Sequence, residues 1–142
     1  MKIQRIRDVK MPTRGTSGSA GIDFYIPNGE REYDIAPGEC ILIPSGIRCN
    51  VPSGFMLMAA NRSSMSKLGM LVGASIVDSD YTGEIHINMW NVSDKYVKLY
   101  PGDKVIQFIL VPVPTVDIEE VDELDEIYSE RGNGGFGSTN KK

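Results

Sequence analysis

The sequence has few of the side chains that build metal and redox sites. Its 142 residues include two cysteines and one histidine. Cys40 and Cys49 lie in apolar, strand-like runs, where reduced thiols are the common state inside cells, so we expect no disulfide. Together with His86 they are too few for a tetrahedral zinc site unless several acids join them. We therefore expect His86 to be a structural strand residue.

Long apolar runs and basic runs are also missing. No apolar run approaches the roughly 18 residues of a membrane span, so no span is expected. Lys2 and Arg5 place charge at the very start of the sequence, and no apolar signal-peptide segment follows, so no signal peptide is expected. We expect a cytoplasmic protein, in the host cytoplasm if the source is a virus or phage, with no membrane partner. The formal net charge is −4, and the sequence has no cluster of Lys and Arg residues of the kind that binds a nucleic-acid polymer. A small anionic ligand, neutralised by a metal ion and a few arginines, remains compatible.

Turn signals dominate the first half of the sequence. Pro-Asn-Gly, Pro-Gly and Pro-Ser-Gly combinations recur between short pieces rich in apolar and β-branched residues, and these pieces are too short for helices. The spacing predicts an all-β sandwich or barrel. Ile85, Ile87 and Met89 alternate with other residues and therefore share one face of a strand. Only the segment 62–69 is expected to be helical, over one or two turns.

Two acids and an aromatic ring lie beside a glycine turn in the segment 77–84, Val-Asp-Ser-Asp-Tyr-Thr-Gly-Glu. Strand-like runs flank this loop, and a strand pair holds a loop rigid enough to aim a carboxylate at a ligand. Asp78, Asp80 and Gly83 match the opening of a calcium-binding loop. Calcium binding is not expected, however, because Met89 stands where that loop needs a bidentate glutamate.

The end of the chain is rich in glycine. We expect one domain over residues 1–128, followed by a flexible arm over residues 129–142. Two glycines of the arm have the spacing of a P-loop, but Ser138 stands where lysine is required and no helix can follow, which excludes that motif. The arm also carries a cation, an aromatic ring and hydroxyl groups that suit a nucleotide: Arg131, Phe136, Ser138 and Thr139.

Five segments, taken in order, closely resemble the five motifs of the trimeric deoxyuridine triphosphatase (dUTPase) family. They extend from about residue 20 to residue 139, which is nearly the whole chain. The segments are 20–23 (Ala-Gly-Ile-Asp), 62–64 (Arg-Ser-Ser), 77–84, 102–107 (Gly-Asp-Lys-Val-Ile-Gln) and 131–139.

The resemblance implies a distorted jelly roll of the β-clip type, assembled as a homotrimer whose sites take residues from neighbouring subunits. It implies hydrolysis of dUTP to dUMP and pyrophosphate with Mg²⁺, by attack of water on the α-phosphorus. In such a trimer the row of Ile85, Ile87 and Met89 could face the core or the threefold axis, and the sequence does not choose. Two alternatives on the same fold stay open: a dCTP deaminase-like relative and a non-catalytic regulatory binding protein.

The same resemblance assigns roles to individual residues. Asp78 would be the base that takes a proton from the attacking water, which is a poor nucleophile without a positioned carboxylate. Tyr81 would pack against the deoxyribose and leave no room for a 2′-hydroxyl, and Asp23 would hold the magnesium ion through water. The residues implied to be catalytic are Asp78, Gln107 and Ser63. Those implied to bind substrate are Arg62, Ser63, Ser64, Ser75, Ile76, Val77, Asp78, Tyr81, His86, Gln107, Arg131, Phe136, Gly137, Ser138 and Thr139.

The sequence departs from the family pattern just ahead of Asp78. Val72 and Ser75 stand where the family commonly has an asparagine and a glycine that serve uracil recognition. We expect the Gly-Ala pair at 73–74 to supply the tight bend through a shifted register. Asn61 replaces a proline that is usual at the second motif, and we expect that change to have no consequence.

Overall fold

A computed structural model describes residues 1–124, 128, 129 and 132. Within these residues there are eleven strands and one helix, so the predicted all-β class with one short helix is confirmed. In chain order the elements are β1 (Lys2–Arg5), β2 (Ile22–Tyr25), β3 (Tyr33–Ile35), β4 (Cys40–Pro44), β5 (Ile47–Asn50), β6 (Phe55–Asn61), α1 (Ser63–Lys67), β7 (Met70–Val72), β8 (Ile76–Val77), β9 (His86–Asn91), β10 (Val97–Leu99) and β11 (Lys104–Pro112).

The strands form small antiparallel sheets with the orders β1–β5, β10–β3, β2–β11–β6–β8 and β4–β9–β7. The longest ladder joins β11 to β6, from Ile106↔Asn61 to Pro112↔Phe55. Most partners are distant in the sequence, and β11 has β2 on its other side. Three of the segments that resemble dUTPase motifs therefore meet at one end of the same sheet.

The core lies between the sheets and is built by alternating strand residues. The rings of Phe24 and Phe108 pack at 4.6 Å between centroids. Ile85, Ile87 and Met89 are each 2% exposed or less, so this row faces the core of the subunit, which settles the choice that the sequence left open. Burying each such side chain contributes about 1.5 to 3 kcal/mol relative to leaving it in water.

The helix is shorter than the predicted segment 62–69. Arg62 is extended, with φ −87° and ψ 138°, and precedes the first helical residue. Gly69 ends the segment with a positive φ of 81°, where a Cβ would also come within 2.6 Å of the Ser93 side chain. Among the described residues, no helix is long and apolar enough to cross a membrane.

After β11 the chain runs along the surface. Val113 N–H donates to Gly54 O at 2.8 Å, and no strand is found between there and residue 124. Ile118 is 99% exposed, and Val116 and Leu124 are exposed as well. Water thus surrounds apolar side chains of the kind that normally pack against another surface.

Candidate active site

The first group of predicted site residues lies where β2, β11 and β6 meet. Gln107 of β11 pairs with Asp23 on one side and with Ala60 on the other. The Asp23 carboxylate contacts Arg62 Nε through Oδ1 at 3.0 Å and Lys104 Nζ through Oδ2 at 3.0 Å. Because Asp23 is only 8% exposed, these two cations offset the cost of burying its charge.

Arg62 is oriented by contacts at the start of α1. Its Nη1 group donates to Ser64 Oγ at 3.3 Å and to the carbonyl oxygen of Lys104. Ser63 and Ser64 are exposed at the start of the helix. The guanidinium therefore has a fixed direction, with the Ser64 hydroxyl beside it.

Gln107 lies directly over a glycine of the first motif. A Cβ at Gly21 would come within 2.0 Å of Gln107 Oε1. The Gln107 carboxamide can therefore lie here only because residue 21 is a glycine. Gln107 Nε2 donates to Asn61 O at 2.8 Å, which fixes its orientation. The side chains that gather here are called the β2–β11–β6 cluster: Asp23, Arg62, Ser63, Ser64 and Gln107.

The second group of predicted residues surrounds a slot between two strands. β7 pairs with β9 as far as Val72↔Met89, and Gly73 N–H donates to Asn88 O at 3.0 Å. Beyond this point the chain leaves β9, and β8 pairs with β6 instead. The divergence leaves a pocket of about 190 Å³, which we call the strand slot. Its lining includes Ser75, Ile76, Val77, Asp78, Tyr81, Ile85, His86 and Asn88.

Tyr81 is held within the loop that joins the two walls of the slot. Its N–H donates to Asp78 O at 3.2 Å, and its hydroxyl donates to Glu84 O at 2.7 Å. A Cβ at Gly83 would lie 2.5 Å from the Tyr81 hydroxyl, so glycine is needed for this ring position. His86 Nδ1 lies 3.0 Å from the same Glu84 O, and a carbonyl acceptor requires a proton on Nδ1.

The loop is anchored to the rest of the subunit through Glu84. Its carboxylate accepts from Arg7 Nε at 2.8 Å and Arg7 Nη2 at 3.1 Å, and from Gly46 N–H at 2.8 Å. The hydrogen bond from Arg7 lowers the pKa of Glu84, and the bond from Gly46 acts in the same direction. Arg48 Nε adds a bond to Thr82 O at 2.7 Å. These bonds fix the loop that carries Asp78.

The slot and the β2–β11–β6 cluster are well separated within one chain. Val77 pairs with Leu57 in the β6–β8 ladder, so Asp78 lies level with Met56, and both line a neighbouring pocket. Arg62 follows Met56 by six residues of extended chain, which corresponds to about 20 Å along the strand. One subunit therefore holds Asp78 and Arg62 too far apart to contact the same phosphate group.

Residues 7–140 match the family model described as dUTPase. The chain belongs to the dUTPase family. It is 38% identical to the deoxyuridine 5′-triphosphate nucleotidohydrolase of Polynucleobacter necessarius subsp. necessarius (strain STIR1), over 97% of this chain and 93% of that protein. It is 37% identical to the protein of the same name from Laribacter hongkongensis (strain HLHK9), over 94% of this chain and 90% of that protein.

Solved dUTPase structures share the fold. Staphylococcus bacteriophage 80alpha dUTPase with dUpNHpp superposes with a TM-score of 0.85 at 22% identity, covering 96% of each chain. A mutant of the dUTPase from phage phi11 of S. aureus, whose structure details the coordination of a structural Mg(II) ion, gives 0.75 at 21% identity, covering 86% of this chain and 96% of that one. At these identities the likeness concerns the fold, and it supports the predicted dUTPase-type jelly roll.

Part of the predicted dUTPase site falls on the end of the chain. Residues of the fifth motif lie outside the described residues, so their predicted roles stay predictions: Arg131, Phe136, Gly137, Ser138 and Thr139. The other predicted residues all lie either in the β2–β11–β6 cluster or around the strand slot.

Three residues received no site role from the sequence, yet they contact the predicted site directly: Glu84, Asn61 and Asn88. Glu84 anchors the loop, but its partner Arg7 is 77 residues away, so no local pattern announces the pair. Asn61 and Asn88 accept hydrogen bonds from the backbone at the point where the chain leaves β9 after β7, which we call the closed end of the slot. The sequence signal for Asn61 is its departure from the proline that is usual there, and Asn88 has no signal beyond being a polar residue that alternates with apolar ones in its strand.

Proposed function

We propose that this chain hydrolyses dUTP to dUMP and pyrophosphate by attack of water on the α-phosphorus. The observation that carries the proposal is that Asp78 and Tyr81 line a slot whose wall is strand backbone. Membership of the dUTPase family and the named relatives at 37% and 38% identity support the same activity.

Backbone groups of the slot suit the recognition of uracil. Ala59 N–H donates to Ser75 O at 2.7 Å, and Val77 pairs with Leu57, so Ser75 and Val77 direct their polar groups to β6. By the alternation of an antiparallel ladder, Ile76 directs its N–H and C=O into the slot. A donor beside an acceptor matches uracil, which presents an N3–H group next to carbonyl oxygens.

Cytosine would be refused by the same pair of groups. It has an acceptor at N3 and an amine beside it, which reverses the pattern, and an unmatched buried polar group costs about 1 to 3 kcal/mol. Tyr81 would pack against the deoxyribose, where a 2′-hydroxyl would clash with the ring. The His86 ring also lines the slot and would add a wall beside the base.

Asp78 would remove a proton from the attacking water as general base. Phosphoryl transfer otherwise requires mainly alignment and neutralisation of charge. Arg62 would neutralise the phosphates, with Ser63 and Ser64 donating hydrogen bonds, Ser63 nearest the oxygen of the leaving group. The half-buried Gln107 carboxamide would hold a water molecule or a phosphate oxygen.

A homotrimer would bring the two groups together. Because about 20 Å of strand separates Asp78 from Arg62 in one chain, a complete site needs the strand slot of one subunit and the β2–β11–β6 cluster of its neighbour. Exposed Val116, Ile118 and Leu124 in the segment after β11 supply apolar surface for contacts between subunits.

The donor set suits a magnesium ion that arrives with the nucleotide. Among the described residues there is no group of three or more His, Cys, Asp and Glu side chains that could cage a metal. Mg²⁺ keeps several waters and binds through few carboxylates plus substrate phosphates, and it neutralises phosphate charge when bound. Asp23 fits a role through water, because each of its oxygens uses one contact, to Arg62 or to Lys104.

We extend the proposal to residues 129–142 as an arm that covers the bound nucleotide. Phe136 would lie over the uracil with Arg131 beside it, and Ser138 and Thr139 would contact the γ-phosphate. Gly137 would also belong to the substrate-binding part of the arm. Deleting the chain after Tyr128 should reduce kcat/KM for dUTP by at least about a hundredfold while the size of the assembly, measured by light scattering, stays the same. An unchanged kcat/KM would contradict the role of the arm.

The test of the activity is pyrophosphate release from each deoxynucleoside triphosphate in the presence of Mg²⁺. We expect turnover of dUTP and at least about a hundredfold lower kcat/KM with dCTP and dTTP. Release of ammonia from dCTP would favour the deaminase alternative, and binding of dUTP without turnover would favour the regulatory one.

We also expect the enzyme to act in the cytoplasm.

A further inference from the structure

We infer that the carboxamides of Asn61 and Asn88 together fix the closed end of the strand slot and so set its base specificity. The inference rests on the proposed function, because it concerns which base the slot accepts. Val72 N–H donates to Asn61 Oδ1 at 2.7 Å, Gly73 N–H to Asn88 O at 3.0 Å, and Ala74 N–H to Asn88 Oδ1 at 2.7 Å. Three successive N–H groups are thus bonded, two of them by side chains.

The orientation of the Asn88 carboxamide is determined by its partners on both sides. Nδ2 donates to Ile41 O at 3.0 Å and to Cys40 Sγ at 3.2 Å, both on β4. A flipped carboxamide would set its NH₂ group against Ala74 N–H and its oxygen against Ile41 O, so both bonds would be lost. Asn88 therefore connects β4 to the closed end of the slot in one orientation.

Gly73 and Asn88 form one structural unit. A Cβ at Gly73 would lie 2.0 Å from Asn88 Oδ1 and 3.1 Å from Trp90 Nε1. The backbone of Gly73 does not have a positive φ, so glycine is required here for space and not for its conformational freedom. The Gly-Ala pair thus bends against the Asn88 side chain.

Asn61 holds the same segment from β6. Its Oδ1 bonds to Val72, while its main-chain oxygen accepts from Gln107 Nε2 at 2.8 Å. The proline usual at this position has no side-chain acceptor, and Val72 has no carboxamide where the family commonly has one. In this chain the two carboxamides come instead from β6 and β9, so the departures at Asn61 and Val72 compensate each other.

The consequence for specificity follows from the direction of the strand. Ala74 and Ile76 direct their backbone groups to the same side, because the pattern repeats every two residues. Asn88 Oδ1 accepts the hydrogen bond from Ala74 N–H, so the backbone N–H and C=O of Ile76 are the groups that bind the base. Discrimination between uracil and cytosine is a difference between two binding energies, and it requires that Ile76 does not shift to suit either base.

The test measures kcat and KM for dUTP and dCTP in Asn88→Ala, Asn61→Ala and the double variant. For Asn88→Ala we expect KM for dUTP to rise about tenfold, the preference for dUTP over dCTP to fall about tenfold, and kcat for dUTP to stay within about threefold. Asn61→Ala should have a smaller effect in the same direction. The double variant should lose less than the product of the two single losses, because both carboxamides hold one segment.

Asn91→Ala is the matched control. Asn91 lies on the same strand and bonds to Ile35 O, Lys95 O and Ser93, away from the slot, so this variant should lower Tm without changing KM or base preference. If Asn88→Ala lowers Tm but keeps the wild-type KM and preference, the inference is wrong. If Asn88→Ala does not fold, Asn61→Ala decides by the same criteria. A wild-type protein that does not hydrolyse dUTP would instead refute the proposed function.

Discussion

The division of the site between subunits leads to a complementation experiment. Asp78→Asn removes the proposed base, and Arg62→Ala removes the proposed phosphate ligand. Each variant alone should be almost inactive. Because Asp78 and Arg62 lie about 20 Å apart along β6 within a chain, a site would take one from each of two subunits. Trimers that contain both variants should therefore contain some sites with both native residues.

The size of the recovery follows from the composition of the mixed trimers. Purification through two tags keeps only trimers that contain both variants, and each of these has two chains of one variant and one of the other. In such a ring, one of the three sites combines a slot from an Arg62→Ala chain with a cluster from an Asp78→Asn chain, so about a third of the sites are fully native. The mixed trimers should recover about a third of the wild-type kcat per site, which is far above the activity of either variant.

The two variants are co-expressed with different affinity tags, purified through both tags and assayed for pyrophosphate release. The matched control combines Arg62→Ala with Gln107→Ala. Both residues belong to the β2–β11–β6 cluster, so every site receives a damaged cluster and no activity should be recovered. If the Asp78→Asn and Arg62→Ala mixture is no more active than its separate components, both residues act from one chain and the proposed site is wrong.

Three further predictions concern the loop of the slot. Asp78→Asn should reduce kcat by several orders of magnitude while the Kd of a non-hydrolysable dUTP analogue stays within about tenfold, because a base acts on the transition state; normal turnover would locate the base elsewhere. Gly83→Ala should raise KM for dUTP and lower the preference for dUTP over UTP, because its Cβ would lie 2.5 Å from the Tyr81 hydroxyl, whereas Gly29→Ala, with open space around it, should change neither. The hydrogen bond from Arg7 lowers the pKa of Glu84 from the usual 4.5, so the stability that this contact gives the folded protein is complete above that pH and is lost as the pH falls below it. As the pH is lowered through this range, the Tm of Glu84→Gln should fall less steeply than the Tm of the wild type, and parallel curves of Tm against pH would contradict this.

Much of the fold was predictable because its signals are local. The recurring Pro and Gly turns indicate short strands, and the alternation of Ile85, Ile87 and Met89 indicates a strand with one buried face. The direction of that face was not predictable, since it depends on which sheet packs opposite. The predicted helical segment 62–69 is three residues longer than the helix, because extended Arg62 precedes the helix and the C-cap Leu68 and left-handed Gly69 follow it.

The site was predictable to a different extent. Asp78, Tyr81 and Gln107 were found through motif resemblance, and the structure shows which surfaces they line. The bonds of Asn61 and Asn88 were not predictable, because they join side chains to backbone groups 11 and 14 residues away. The bond between Val72 and Asn61 was missed for the same reason, and the expectation that Asn61 has no consequence is tested by Asn61→Ala.

The most direct test of the central claim is hydrolysis of dUTP with Mg²⁺ in water labelled with oxygen-18. Attack at the α-phosphorus predicts two products, dUMP that carries the label in its phosphate and pyrophosphate that carries none. Both are identified by mass spectrometry. Label in the pyrophosphate, release of orthophosphate, or intact dUTP after long incubation would contradict the proposed reaction.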